Sequence, residues 1–120
     1  MKWMVLYLGG KKWTIYLVTT RSKWLRDSES GEPLDGYCDY DTLCIYVNKN
    51  LSEDLFKETL IHECLHAAIF TSGAHRFFVP GTDNEENLVA VLSPYIHGML
   101  RDMGCRIPYL SKSASLDGIR

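Results

Sequence analysis

The segment LIHECLHAAIF, residues 60–70, constrains the fold more than any other part of the chain. Its Leu, Ile, Ala, Phe and Cys residues are typical of a helix that is buried on most sides. The same stretch also contains two histidines and a glutamate, His62, Glu63 and His66. Burying an ionisable carboxylate beside two imidazoles costs free energy unless a partner or a metal ion compensates for it. We therefore expect a buried helix that carries a polar site.

The spacing of these three residues predicts a metal site. His62 and His66 are four residues apart, so their Cβ atoms lie about 5–6 Å apart on one helix face. Two imidazole nitrogens at that separation can bind one Zn²⁺ at roughly 2.0–2.1 Å each. Glu63 is rotated by about 100° around the helix and can reach a water molecule at the metal. The pattern H-E-x-x-H thus predicts two ligands and a general base for peptide hydrolysis. The alternative is two core histidines bonded to carbonyl groups and a surface glutamate.

A catalytic zinc site needs a third protein ligand and one open position. The segment TDNEENLVAVL, residues 82–92, offers Glu85 or Glu86. Glu85 heads an apolar stripe that we expect to face inward, made of Leu88, Val89, Leu92 and Ile96. Glu86 heads a more mixed row, made of Val89, Ala90, Ser93 and His97. We therefore predict Glu85 as the ligand and a helix-capping role for Glu86, although Thr82 and Asp83 each precede one of the glutamates at capping-box spacing.

Other polar residues are weaker candidates for a catalytic role. A third histidine ligand in the pattern H-E-x-x-H-x-x-G-x-x-H is rejected, because the chain has Ile69 at the glycine position and Ser72 at the histidine position. A group that polarises the substrate carbonyl is still needed. His75, Tyr95 and His97 are candidates for it, and each is otherwise an ordinary surface or core residue.

With HECLH and the downstream NEENLVA, the chain resembles the gluzincin metallopeptidases, in particular small phage and bacterial members related to the ImmA/IrrE and SprT-like groups. The segment from Glu85 to Ala90 is similar to the E-A-N-x-F-A segment that carries the third ligand in the ImmA/IrrE group. The resemblance covers roughly residues 36–103. It implies a minimal zincin-like fold with one zinc ion per chain, a protein or peptide substrate, and Glu85 as third ligand. The short gap between the two motifs argues for a minimal active site. No extra domain like that of ImmA/IrrE-type regulators is recognisable, so the resemblance does not imply repressor cleavage.

The remaining pattern predicts an α+β fold, with a small antiparallel sheet of three to four strands packed on two main helices. Aromatic and β-branched residues indicate two hairpins, at 3–19 and 37–47, and the clearest strand is 43–47. We expect that strand to border the cleft and to pair with an extended peptide. Between the hairpins, residues 20–36 indicate a mobile loop anchored by Trp24 and Leu25.

Two helices follow the strands. Ser52 is a good N-cap for a first helix that runs to about Thr71, and Leu51 and Phe56 have the spacing of a hydrophobic staple. The second helix is predicted from Thr82 or Asp83 to about Met103, with Pro94 as a point of kinking. Residues 109–120 indicate a flexible tail, and residues 111–120 could lie in the cleft and hold the enzyme latent.

Composition fits one globular domain over residues 1–120. The chain is 46% apolar and 23% charged, and its net charge of −2 gives no basic surface for nucleic acid. The apolar run near the N-terminus is too short for a signal peptide or a membrane span. The four cysteines contain no C-x-x-C pair, which favours reduced thiols in the cytoplasm. The alternative to a peptidase is a non-catalytic, zinc-stabilised interaction domain, such as a phage-encoded binder of a host protein.

Overall fold

The computed structural model describes residues 1–109 and shows a β-sheet packed against two helices. The elements are β1 Lys2–Leu8, β2 Lys11–Val18, β3 Gly36–Asp39, β4 Cys44–Asn48, α1 Glu53–Ser72 and α2 Asn84–Asp102. The predicted α+β class, with up to four strands and two main helices, is confirmed. The predicted latency segment, 111–120, lies outside the described residues, as does all but the first residue of the predicted flexible tail, 109–120.

The first two strands form the predicted hairpin. Their aromatic and β-branched residues favour strands, and the two-residue turn between them consists of Gly9 and Gly10. Both glycines have positive φ, 56° and 83°, as a tight hairpin turn requires at its two central positions. Glycine adopts this conformation without the steric cost of a Cβ atom.

The sheet has the strand order β1-β2-β4-β3 and contains one parallel pair. β2 and β4 run parallel, from Thr14 opposite Cys44 to Val18 opposite Asn48, so the prediction of a wholly antiparallel sheet is wrong for this pair. The chain after β2 crosses to the far edge, forms β3 there, and returns as β4 into the space beside β2. The expectation that strand 43–47 borders the cleft is also wrong, because β4 lies inside the sheet and none of residues 43–47 lines the cleft. β4 has strands on both sides, and β1 and β3 are the two edge strands of the sheet.

The segment between β2 and β3 packs on the face of the sheet opposite α1. It contains a 3-10 turn at Lys23–Leu25 and a bridge between Arg26 and Pro33. The Trp24 ring stacks on Tyr46 of β4, with 4.4 Å between centroids and 5° between the ring planes. Leu25 is fully buried. These are the two anchors that the sequence indicated.

The other face of the sheet and one side of α1 enclose the core. Its main residues are fully or almost fully buried: Trp13, Ile15, Leu17, Ile45, Val47, Phe56, Leu60 and Ala67. The Trp13 Nε1–H donates to Thr71 Oγ1 at 2.9 Å and ties β2 to the last turn of α1. The helix begins after Ser52, as predicted, and ends at Gly73, whose φ of 83° allows the left-handed C-cap.

α2 packs on α1 through a row of residues different from the predicted one. Its buried residues are Val89, Ser93 and His97, which continue the row headed by Glu86. Leu88 and Leu92, which follow Glu85 in the predicted inward stripe, are 43% and 39% exposed. The predicted inward stripe is therefore wrong for Leu88 and Leu92 but right for Val89, which is 1% exposed. Within residues 1–109, no helix combines the length and the apolar composition that spanning a membrane requires.

Candidate metal centre

Helix α1 presents its three motif residues in two directions. His62 and His66 face α2, and their ring centroids lie 5.0 Å apart. Glu63 lies on the side of α1 that packs against the sheet, where it is 8% exposed. This split follows from the helical repeat, since consecutive residues are rotated by about 100°.

The two imidazoles meet a carboxylate from the first turn of α2. His62 Nε2 lies 3.1 Å from Glu86 Oε2, and His66 Nε2 lies 2.8 Å from Glu86 Oε1. One donor atom from each of these residues falls within 4.8 Å of the other two. Such separations suit ligands that share one ion at about 2.0–2.2 Å each. Two imidazole nitrogens from α1 and one carboxylate oxygen from α2 thus lie close to a common point.

Glu85, the predicted third ligand, lies on the other side of His66. Its Oε2 atom is 2.6 Å from His66 Nδ1, and its side chain is 22% exposed. A histidine that offers one nitrogen to a metal commonly donates its other N–H to a carboxylate, which fixes the ring orientation. The geometry therefore gives Glu86 the position expected of a ligand and Glu85 the position that orients His66. The predicted capping role of Glu86 is not observed, since Glu86 points at the histidines.

The two carboxylates determine the charge of His66 in the absence of a metal ion. Burial lowers the pKa of His66, but hydrogen bonds to Glu85 and Glu86 outweigh burial, so the pKa lies above its usual value. When the ring is protonated, it can donate one N–H to each glutamate. A divalent cation at the Nε2 side would replace a proton there, because metal ligation requires neutral histidine.

Glu63 occupies a site that a glycine in β3 makes possible. A Cβ atom at Gly36 would lie 2.9 Å from Glu63 Cγ and 3.0 Å from Glu63 Oε2, so any larger residue would displace the carboxylate. Burial raises the pKa of Glu63 to about 7, with His66 opposing and Glu86 adding to the shift. Among residues 1–109, none forms a hydrogen bond or ion pair with this carboxylate, and its oxygens keep some contact with solvent, because no fully buried side-chain oxygen of the described residues lacks a partner. Its acid–base chemistry is therefore available to a bound molecule.

The space in front of these groups is an open cleft of about 570 Å³. It lies between the segment that leads into β3 and the two helices. His62, Glu63 and Glu86 line one part of it. The rest of the lining consists of Asp27, Leu34, Asp35, Gly36, Leu55, Glu58, Thr59, Ala90, Ser93 and Pro94. This volume falls in the range of small-molecule and peptide-side-chain sites.

None of the three weaker candidates lines this cleft. His75 stacks on Phe70 at 5.6 Å, and Tyr95 is 71% exposed on the outer side of α2. His97 is buried, with its Nδ1 atom 3.4 Å from Glu58 Oε2. It contributes to a larger cavity of about 930 Å³ near the start of α1, whose lining contains none of the metal donors.

Sequence reasoning missed Gly36, which makes room for Glu63, and the acidic residues Asp35 and Glu58 in the cleft. A glycine within a strand often marks a place where another group approaches the backbone closely, so the sequence offered an indication of the role of Gly36. Asp35 stands in a turn-rich segment, where an acidic residue is normally a solvated one. Only the tertiary structure brings Asp35 into one cleft with Leu55, Glu58 and Thr59 of α1.

The donor set fits zinc. Two imidazole nitrogens and a carboxylate oxygen are ligands that zinc commonly takes in catalytic sites, with a fourth position left for water. Glu86 is 53% exposed at its side chain, so solvent reaches the site from that direction. Cys64 packs against the hydrophobic core rather than joining the donor group, and burial raises the pKa of its thiol to about 12.

No protein-family model, curated protein or solved structure matches the chain significantly. The resemblance to gluzincins thus depends on the motif residues, and the functional interpretation depends on the geometry of the cleft.

Proposed function

We propose that the protein is a zinc-dependent peptidase with His62, His66 and Glu86 as metal ligands and Glu63 as the general base. The observation that carries the proposal is the Glu63 carboxylate, which is buried, unpartnered within residues 1–109, and adjacent to three converging metal donors. A purely structural metal site has no need of such a carboxylate, because burying it costs free energy.

Bound zinc would lower the pKa of a water molecule to about 7 and polarise a substrate carbonyl. Glu63 accepts a proton from the attacking water and then donates it to the amine of the leaving group. A pKa of about 7 suits both roles, since the carboxylate can take and release a proton near neutral pH. Glu85 keeps the His66 ring in its orientation through the Nδ1 contact.

The edge strand β3 supports a peptide as the substrate. β3 has only β4 as a neighbour, so its outer backbone groups are open to strand addition within the described sheet. Gly36, at its first position, lines the cleft beside Glu63. An extended peptide that pairs with β3 would pass in front of the carboxylate, with main-chain hydrogen bonds supplying affinity. This role replaces the one predicted for strand 43–47.

Glu63→Gln tests the mechanism. The amide keeps the size of the side chain but cannot accept the proton, so hydrolysis of an unfolded protein substrate should fall by at least about 100-fold. Zinc content, measured by elemental analysis, should stay at one ion per chain. Wild-type rates in the zinc-loaded variant would contradict the assignment of Glu63.

A non-catalytic zinc-stabilised domain is the second candidate, favoured by the distribution of the donors over two different helices. Zinc would then join α1 to α2 and contribute to folding. This candidate predicts one zinc per chain and a large loss of stability with chelator, but no turnover of any peptide.

The four cysteines are free, which supports a reducing compartment, and we propose the cytoplasm for either function.

A further inference from the structure

The cleft in front of Glu63 is lined by acidic groups and by no lysine or arginine among the described residues. Its carboxylates are Asp27, Asp35, Glu58, Glu63 and Glu86. A concave surface with charges of one sign concentrates the electrostatic potential and attracts ligands of the opposite sign. A divalent ion held by Glu86 would offset part of this charge, and the general base accounts for one more carboxylate. Three carboxylates have no task in the proposed mechanism.

These three groups line the same cleft as His62, Glu63 and Glu86. Asp35 directly precedes Gly36, whose backbone approaches the Glu63 carboxylate. Glu58 lies one helical turn before His62, so the two side chains project from the same face of α1. Asp27 lies across the cleft on the segment that leads into β3.

The three carboxylates differ in how far they are already engaged. Asp27 Oδ1 accepts the Glu29 backbone N–H at 2.8 Å, and the backbone and side chain of Ser30 also hydrogen-bond to this carboxylate. Glu58 Oε2 lies 3.4 Å from His97 Nδ1, a long contact. Asp35 makes no side-chain hydrogen bond or ion pair to any residue in the part of the chain that the structure describes. Asp35 is therefore the freest of the three to bind a ligand.

We propose that the cleft binds a cationic group of the substrate beside the scissile bond, with Asp35 and Asp27 as its main partners and Glu58 as a further one. The inference rests on the proposed peptidase function and names its substrate class. Besides the acidic lining, it is supported by the side chain of Glu63, which is nine-tenths buried, has no hydrogen-bond partner among the described residues, and opens into the same cleft. The cation is an ammonium or guanidinium group, supplied by a lysine or arginine side chain or by the free N-terminus of a peptide.

Binding measurements on the full-length, zinc-loaded Glu63→Gln variant test this subsite without turnover. One fluorescent peptide carries lysines, and its partner carries acetyl-lysines, which are similar in length but uncharged. A second pair differs in a free or an acetylated N-terminus, with the fluorophore at the C-terminus. We expect the charged member of at least one pair to bind about tenfold more tightly at low salt, and the preference to shrink at high salt. The pair that responds identifies the source of the cation.

Two matched double variants locate the subsite. Asp27→Asn/Asp35→Asn removes two charges from the cleft, and Glu29→Gln/Glu32→Gln removes two charges from exposed positions of the same segment that do not line it. The first should abolish most of the preference, and the second should leave it intact. Urea midpoints of both variants verify folding, and Asp35→Asn alone replaces the first if that variant is unfolded.

The inference and the proposed function can fail separately. Equal binding of charged and uncharged peptides in both pairs would overturn the cationic subsite, even if wild-type protein hydrolyses peptides. An equal loss of preference in both double variants would also overturn it, because the effect would then be one of net charge. A preference that depends on Asp27 and Asp35 supports the subsite, and if no peptide is hydrolysed, the peptidase function fails alone.

Discussion

Two consecutive glutamates reach the candidate site from different directions. Glu85 and Glu86 both contact His66, one at each ring nitrogen. Because consecutive helical residues diverge by about 100°, only one of them can also reach His62, and that residue is Glu86. The two contacts to the His66 ring are the basis for proposing Glu86 as the metal ligand and Glu85 as the residue that orients the ring.

Substituting the two glutamates separately should separate these roles. Glu85→Gln should weaken zinc affinity by about 10–100-fold, the usual effect of removing an orienting partner. Glu86→Gln should weaken it further, because only two strong protein ligands remain. Competition with a chromophoric chelator measures both affinities. The opposite order would make Glu85 the ligand, as the sequence stripe suggested.

At the scale of elements, α2 is held to α1 through a narrow and partly polar row. Val89 is 1% exposed, whereas Val91, two residues later, is 61% exposed. Ser93 satisfies its hydroxyl within the helix, by donating to Val89 O at 2.7 Å. The outer side of α2 keeps large apolar residues in solvent, including Tyr95 and Met99. Apolar spacing therefore predicted the burial of Val89 correctly and that of Leu88 and Leu92 wrongly.

A pair of valine substitutions measures which face of α2 is packed. Val89→Ala removes two buried methyl groups and should lower the free energy of unfolding by about 2 kcal/mol. Val91→Ala removes the same groups from solvent and should change stability by less than about 0.5 kcal/mol. Both substitutions raise the helix propensity by the same amount, so the difference between their free energies of unfolding reports burial.

Urea unfolding of the two variants at one pH and without zinc supplies the measurement. Equal losses of stability in both variants would mean that α2 is rotated relative to the packing described above.

At the scale of the whole molecule, the candidate metal site joins the two helices at one end of their contact. His62 and His66 come from α1 and Glu86 from α2, while the sheet contributes Gly36 against Glu63. A ligand that binds the folded state and not the unfolded chain stabilises the fold by mass action. Metal binding and folding should therefore be coupled.

Zinc should raise the free energy of unfolding by about 2.7 kcal/mol at a free concentration 100 times its Kd. Thermal unfolding with and without zinc measures this increment, and a chelator should reverse it. His62→Ala should unfold at the same temperature in both conditions. A zinc-dependent shift that persists in His62→Ala would place the ion elsewhere.

The sequence by itself determined the elements and the core of the site. Hairpin glycines, the Ser52 cap position and the apolar stretches mark where strands and helices begin and end, because these signals act within a few residues. The spacing of His62 and His66 is equally local, since a helix turns at a constant rate. The expectation of two imidazoles on one face with Glu63 turned away could therefore be made without a structure, and the described geometry agrees with it.

Tertiary structure alone decided which residues complete the site. The parallel pairing of β2 and β4 depends on where the crossing segment packs, and Trp24 against Tyr46 is a contact between residues far apart in the chain. The choice between Glu85 and Glu86 depends on the rotation of α2 against α1, which shape and polar contacts set together. Asp35 and Gly36 reach the cleft through the same packing. Such arrangements arise from non-local contacts, and no local pattern of residue types encodes them.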